Sequence, residues 1–191
     1  MKKALAVILT VMLIAVCFSA CGTSTDGIKV PEESLENVER GSFSNFTAID
    51  LNGKTVTEDI FKGKKLTMIN IWATFCGPCI KEMPDLETLS KEYADKDFQI
   101  IGIVCDVSYE NDGYNDSLYQ DALSIVQATG VTYRNLLPSK SLDIIKLHEV
   151  YSVPETIFVD ENGELVGQNF VGSRSLESWK AIVDSVFATM Q

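Results

Sequence analysis

Two cysteines spaced by two residues, Cys76-Gly77-Pro78-Cys79, stand where a mostly apolar run, 66–72, gives way to a segment of helical periodicity. The run Leu66-Thr67-Met68-Ile69-Asn70-Ile71-Trp72 fits a buried strand. From Pro78 to about Tyr93, the residues Ile80, Met83, Leu86, Leu89 and Tyr93 fall on one side of a helix. A thiol at that junction sits at a helix N-terminus, where free N–H groups and the macrodipole favour the thiolate. Thiolate is the attacking species in disulfide exchange. The spacing brings both sulfurs within bonding reach over one helical turn. Pro78 is tolerated in the first turn, where its missing N–H costs nothing. Cys79, one turn in, is expected to be the less exposed, resolving thiol. A Cys-x-x-Cys pair can also be half of a zinc site, but such a site needs further Cys or His ligands. Only Cys105 and His148 remain in the domain, at unrelated spacings. A static structural disulfide is the other reading, and the strand-to-helix placement and aromatic lead-in argue against it.

The chain has 191 residues and a net charge of -11. That acidity argues against nucleic acid as a partner, since phosphate binding needs a basic footprint. The five cysteines, at 17, 21, 76, 79 and 105, cannot all pair within one chain and form no single framework. Met1-Lys2-Lys3 followed by the apolar stretch 4–18 is short for a membrane span and fits the basic and apolar regions of a secretory signal. Ser19-Ala20-Cys21-Gly22, with Phe18 where Leu is usual, resembles a bacterial lipoprotein signal in which Cys21 is lipidated and becomes the first mature residue. Cys17 fits that role less well because bulky Val16 precedes it. Residues 1–20 are therefore expected to be a signal peptide, 21–40 a flexible tether, and 41–191 the working domain, lipid-anchored outside the cytoplasm. Without the basic leader, residues 21–191 carry a net charge of -13.

Along the domain, Asn52-Gly53 between two short alternating runs predicts a hairpin with both turn residues at positive φ. Residues 98–105 read as a second buried strand, 106–116 as a polar loop and 117–129 as a helix. A short strand follows at 133–137 and a helix at 141–150. Residues 156–159 form a strand that turns at Asn162-Gly163 into a partner over 165–171, and 175–190 a closing helix. Trp179, Ile182, Val183, Val186 and Phe187 make the apolar side of that helix. Strand, helix, strand early in the order implies a parallel pair with a right-handed crossover. A late hairpin adds antiparallel strands. The expected architecture is an α/β sandwich with a mixed central sheet and helices on both faces.

Trp72-Ala73-Thr74-Phe75-Cys76-Gly77-Pro78-Cys79 resembles the active site of the thioredoxin superfamily. More narrowly, the chain from about residue 40 onward is similar to the extracytoplasmic TlpA/ResA/CcmG-type thiol-disulfide oxidoreductases, which share the N-terminal hairpin and a central helical insertion. The resemblance implies a thioredoxin-like sandwich with Cys76 and Cys79 as the catalytic pair. Trp72, Phe75, Gly77 and Pro78 belong to the active-site motif. Asn70 lies where cytoplasmic thioredoxins place a buried Asp. Glu82 corresponds to an acid near the cysteine pair in the ResA-like branch. On the same helical face as Cys79, its carboxylate would have a raised pKa if partly buried and would take the Cys79 proton. Val153-Pro154-Glu155-Thr156 resembles the cis-proline loop, which offers backbone groups to an extended substrate. Pro-Glu-Thr is reminiscent of the cytochrome c maturation branch, and Glu155 would add an acid at the rim.

The resemblance further implies a protein-disulfide reductase that needs no cofactor and no metal. Its substrates would be disulfide-containing exported proteins, in cytochrome c maturation or surface-protein repair. Electrons would come from a membrane donor of CcdA or DsbD type, and the protein is expected to be a monomer. Gly-Pro between the cysteines lacks the His that helps oxidising relatives stabilise their thiolate, which favours reduction. Two alternatives use the same scaffold. A peroxiredoxin-like peroxidase needs a Pro-x-x-x-Thr/Ser-x-x-Cys arrangement that is missing here. A Sco-like copper chaperone would use Cys76, Cys79 and His148, although Sco-like proteins space their cysteines differently. Cys105, in an apolar run, reads as a core thiol, and His148 as a surface or packing residue.

Overall fold

The apolar runs at 66–72 and 98–105 become the two central strands of the sheet. The structure is a computed structural model that describes residues 28–110 and 113–190. The signal segment 1–20, with Cys17, and the lipidation candidate Cys21 lie outside the described residues. In chain order the elements are β1 (Thr47–Ile49), β2 (Thr55–Thr57), a 3-10 turn at Glu58–Phe61, β3 (Leu66–Trp72), α1 (Gly77–Glu92), β4 (Phe98–Val104), β5 (Tyr109–Glu110) and β6 (Gly113–Tyr114). Then come α2 (Asp116–Thr129), β7 (Arg134–Leu136), α3 (Lys140–Ile145), a 3-10 turn at Leu147–Glu149, β8 (Glu155–Val159), β9 (Phe170–Val171) and α4 (Leu176–Thr189). The central sheet runs β7-β4-β3-β8-β9. β7, β4 and β3 are parallel, while β8 and β9 are antiparallel to their neighbours, so the sheet is mixed.

Side-chain alternation divides the sheet between two cores. Leu66, Met68 and Trp72 of β3 pack with Phe98, Ile100, Val104 and Phe158 beneath α1, α2 and α4. Ile69 and Ile71 pack with Ile101, Ile103, Ile157 and Val159 on the opposite face, under α3, the β1–β2 hairpin and Phe43, Phe46 and Phe61. The chain is therefore a thioredoxin-like α/β sandwich with helices on both faces, an N-terminal hairpin and a helical insertion.

One row of the α1 face departs from this apolar pattern. Asn135, Gly102, Asn70 and Thr156 are neighbours in register across β7, β4, β3 and β8. Asn135 Oδ1 accepts the Trp72 indole N–H at 2.9 Å, which satisfies the polar end of a fully buried ring. Gly102 leaves the space for that bond: a Cβ there would sit 1.9 Å from Asn135 Oδ1. Gly102→Ala is accordingly expected to break the pair and destabilise the fold by about 2–3 kcal/mol, from overpacking and a stranded buried amide. Chemical denaturation of the purified protein measures it.

Several local expectations are corrected. The Asn52-Gly53 hairpin forms, but only Gly53 takes positive φ, at 76°. Strand pairing ends at Ile49 and Thr55, and the loop is organised by buried Asp50. Its carboxylate accepts the backbone N–H groups of Asn52 and Lys54 at 2.9 Å each and an Arg134 N–H at 3.0 Å. An Asx turn thus replaces the two-residue turn. The polar stretch 106–116 is not simply a loop, since it carries the small β5–β6 ladder. The helix expected over 141–150 stops at Ile145, because Lys146 leaves helical geometry (φ −151°) and turns its side chain inward. The strand expected over 165–171 reduces to β9 plus one bridge at Leu165, since Gly167 adopts φ 75° between them.

Residues 28–40, assigned to the tether, lie along the domain. Glu33 accepts the N–H groups of Lys140 and Ser141 at 2.9 and 2.8 Å, capping α3. Lys29 forms a bridge with Gly113 of β6, and Ile28 and Val30 pack against the core on the α1 face.

Candidate active site

β3 ends at Trp72 and the chain turns through Ala73, Thr74 and Phe75 into α1. The turn is fixed by Asp106, the second residue beyond β4: its carboxylate accepts the Thr74 N–H at 3.0 Å from both oxygens, and the Thr74 hydroxyl. Cys105 N–H, bonded to Trp72 O at 2.8 Å, holds the same junction. Cys76 is the N-cap of α1, and its Sγ accepts the Cys79 backbone N–H at 3.2 Å. Gly77 and Pro78 form the exposed first turn. Cys76 and Cys79 are disulfide-bonded. The two sulfurs are not equivalent, as Cys76 is 5% exposed and Cys79 not at all.

Opposite the pair, the Val153–Pro154 peptide is cis, and Val153 O lies 3.6 Å from Cys76 Sγ. Pro154 is buried and Val153 half-buried. Two large apolar side chains close by in sequence are in the open: Phe75, next to Cys76, is 78% exposed and Tyr151, two residues before Val153, 93%. Trp72, of the same motif, lies in the core, where its ring packs beneath α1 and is closed to a ligand.

Glu82 lies one turn beyond Cys79 and is only 3% exposed. Its Oε1 accepts Asn70 Nδ2 at 3.2 Å, and its Oε2 accepts the Arg174 backbone N–H at 3.0 Å and the Trp179 indole N–H at 3.3 Å. Burial pushes its pKa up, and these three donors pull it partly back. Asn70 Nδ2 also donates to Thr156 Oγ1 at 3.1 Å, while Asn70 Oδ1 is buried without a donor. An amide suits this position better than a second carboxylate. It avoids placing like charges together, and by turning over it can accept a hydrogen bond from neutral Glu82 as readily as it donates one to the ionised form. A surface cavity lined by Pro78, Lys81, Glu82, Asp85 and Ser173–Ser175 opens beside the acid.

Sequence reasoning missed Asp106, Arg174, Trp179 and Asn135. Asp106 carried one signal, a polar residue just past the C-terminal end of a parallel strand, where sites of open α/β sheets gather. Glu155 is buried in an ion pair with Lys146 and does not act as a rim acid. Cys105 is half-buried, and burial pushes its thiol up to about 11, which makes it a poor nucleophile. His148 turns Nδ1 toward Asp143 O and has Glu149 beside Nε2. Among the described residues no three His, Cys, Asp or Glu side chains gather as a metal site.

A Cys-x-x-Cys disulfide at a helix N-terminus, facing a cis-proline loop on a mixed sheet, defines a thioredoxin-like thiol-disulfide oxidoreductase. The chain belongs to the redoxin family, whose model matches residues 39–181, and within the thioredoxin superfamily it is ResA/CcmG-like. It is 29% identical over 178 residues to the thiol-disulfide oxidoreductase ResA of Bacillus thuringiensis subsp. konkukian, covering 93% of this chain and 94% of the relative. It is 30% identical over 164 residues to the thioredoxin-like protein YneN of Bacillus subtilis, covering 85% and 86%. Among solved structures, a thioredoxin-family thiol:disulfide interchange protein of Chlorobium tepidum superposes with a TM-score of 0.60 at 21% identity, covering 78% of this chain and 97% of the other. StoA of Bacillus subtilis gives 0.56 at 20% identity, covering 75% and 96%. At these identities the two structures speak for the fold.

Proposed function

We propose that the chain is a lipid-anchored, extracytoplasmic protein-disulfide reductase that works as a monomer. The observation that carries the direction of attack is the asymmetry of the pair: Cys76 reaches the surface beside Val153, whereas Cys79 is fully buried, one helical turn before Glu82. The Cys76 thiolate attacks one sulfur of a substrate disulfide, and the other substrate sulfur leaves as a thiolate. Cys79 then attacks Cys76 Sγ of the mixed disulfide, and its proton passes to Glu82. The second substrate sulfur leaves, so the substrate has gained two electrons and the enzyme holds the Cys76–Cys79 disulfide. A membrane dithiol donor of CcdA or DsbD type restores the reduced pair. Apocytochrome c and oxidised surface proteins are the substrate classes that suit this reading. The ResA-like sequence relatives and the Pro-Glu-Thr loop support it, and the leader resembling a lipoprotein signal supports the location. Among the described residues no helix is long and apolar enough to cross a membrane. The anchor is assigned to Cys21 on the resemblance of Ser19-Ala20-Cys21-Gly22 to a lipoprotein signal.

The test is Cys79→Ser in the host cell. The variant keeps the attacking sulfur and loses the resolving one, so mixed disulfides with exported proteins are expected to accumulate at Cys76 and disappear on reduction. Absence of any thiol-reversible adduct on an exported protein would sink the reading.

A further inference from the structure

The loop that faces Cys76 is held closed at its base by a buried ion pair. Lys146, at the C-cap of α3, turns inward, and its Nζ lies 2.6 Å from Glu155 Oε1, with the two side chains 7% and 6% exposed. Asn169 Nδ2 donates to the same oxygen at 2.9 Å. Lys146 and Glu155 bracket residues 147–154. That span carries everything the cis-proline side offers to a substrate: the exposed Tyr151 ring, the Val153 carbonyl beside Cys76 Sγ, and Pro154 itself. Glu155 also begins β8, opposite Ile71 of β3 and Val171 of β9. Its end of the clasp is therefore fixed to the sheet, and Lys146 ties the other end of the loop to it.

A pair of buried charges is a poor way to gain stability alone, because apolar residues of similar volume often do as well. What such a pair does well is fix one arrangement. We propose that Lys146 and Glu155 are positioning residues that set the loop 147–154 for polypeptide disulfides, an inference that rests on the reductase reading above. A polypeptide must lay its backbone and flanking side chains against Val153 and Tyr151 while Cys76 attacks. A small disulfide needs the Cys76 sulfur alone. The clasp therefore governs the preference between these two substrate classes and leaves the intrinsic reactivity of Cys76 untouched.

The test compares full-length Lys146→Met, Lys146→Arg and wild-type protein in detergent, using insulin as the polypeptide disulfide and oxidised glutathione as the small one. Lys146→Met is expected to lower kcat/KM for insulin by about tenfold, chiefly through KM, because a small misplacement of a positioning loop is enough. The glutathione rate stays unchanged, and Lys146→Arg recovers most of the insulin activity. If Lys146→Met does not fold, the double variant Lys146→Met/Glu155→Gln removes both charges and is expected to show the same selective loss. Parallel losses on both substrates, or no change in a folded variant, overturn the clasp. Wild-type protein that reduces glutathione disulfide but not insulin would instead remove the polypeptide-reductase reading on which it rests.

Discussion

Cys76→Ser is expected to abolish disulfide reduction, lowering insulin turnover by at least about 10³-fold, while the protein stays folded. A serine hydroxyl at the head of α1 remains protonated at neutral pH, so the helix N-terminus that stabilises a thiolate has no anion to stabilise. Cys79 cannot substitute, because it is fully buried under the first turn of α1 and against the core. The change removes the disulfide, but the closed loop is short, so the loss of stability relative to the oxidised form is about 2 kcal/mol at most. Compared with the reduced wild type the difference should be smaller still. The measurement is insulin reduction with a chemical reductant as electron source, beside a denaturation curve for each variant in reducing buffer. Cys79→Ser separates the two steps, since it should consume one equivalent of a model disulfide and stop as a stable adduct. Retained turnover in Cys76→Ser would mean that Cys79 is the attacking sulfur.

What could be read from the sequence is what depends on neighbours along the chain. The Cys76–Cys79 pair, Pro78 in the first turn and the apolar side of α1 are all set by spacing within a few residues. So is Glu82, which the helix places one turn past Cys79. The two central strands were plain because both their faces are buried and their residues are correspondingly apolar. The resemblance carried further, to Asn70 and Pro154, because those positions are fixed relative to a motif. The partners that determine what Glu82 can do are remote: Arg174 and Trp179 reach it from the end of the chain, across about ninety residues. Asp106 reaches Thr74 only because β3 and β4 run side by side. Lys146 reads as one more helix residue until its partner, Glu155, is brought to it. The Asn52-Gly53 turn lies where its sequence indicates but differs in type for a similar reason, since its geometry follows from Asp50 and from Arg134 on β7 rather than from the two turn residues. Residues 28–40 looked free because their composition is polar, yet Glu33 finds the start of α3.

Glu82→Gln is expected to make the protein more stable at neutral pH and nearly inactive in its second step. Burial raises the folded-state pKa of Glu82 above its unfolded value, so the native state holds this proton more tightly than the unfolded chain does. The stability that comes with the protonated form is complete below the unfolded value and is lost as pH rises through the folded one. Glutamine is a permanent mimic of the protonated form. Its carbonyl keeps the Arg174 and Trp179 donors, and its amide meets Asn70 Oδ1 once that side chain turns over. The variant should gain roughly 1–3 kcal/mol at pH 7–8, the usual scale for relieving a desolvated polar group, and the gain should shrink to nothing in acid. Denaturant titrations across pH measure this. Catalysis should move the other way: without a base beside Cys79 the mixed disulfide resolves about 10²-fold more slowly or worse, while formation of the adduct at Cys76 is unaffected. In the wild type the resolution rate should rise with pH as Glu82 ionises; in Glu82→Gln that rise is absent, and the rate recovers only in the alkaline range, where Cys79 ionises unaided. Identical pH profiles for resolution in the two proteins would reduce Glu82 to a buried acid that costs stability and does nothing for Cys79.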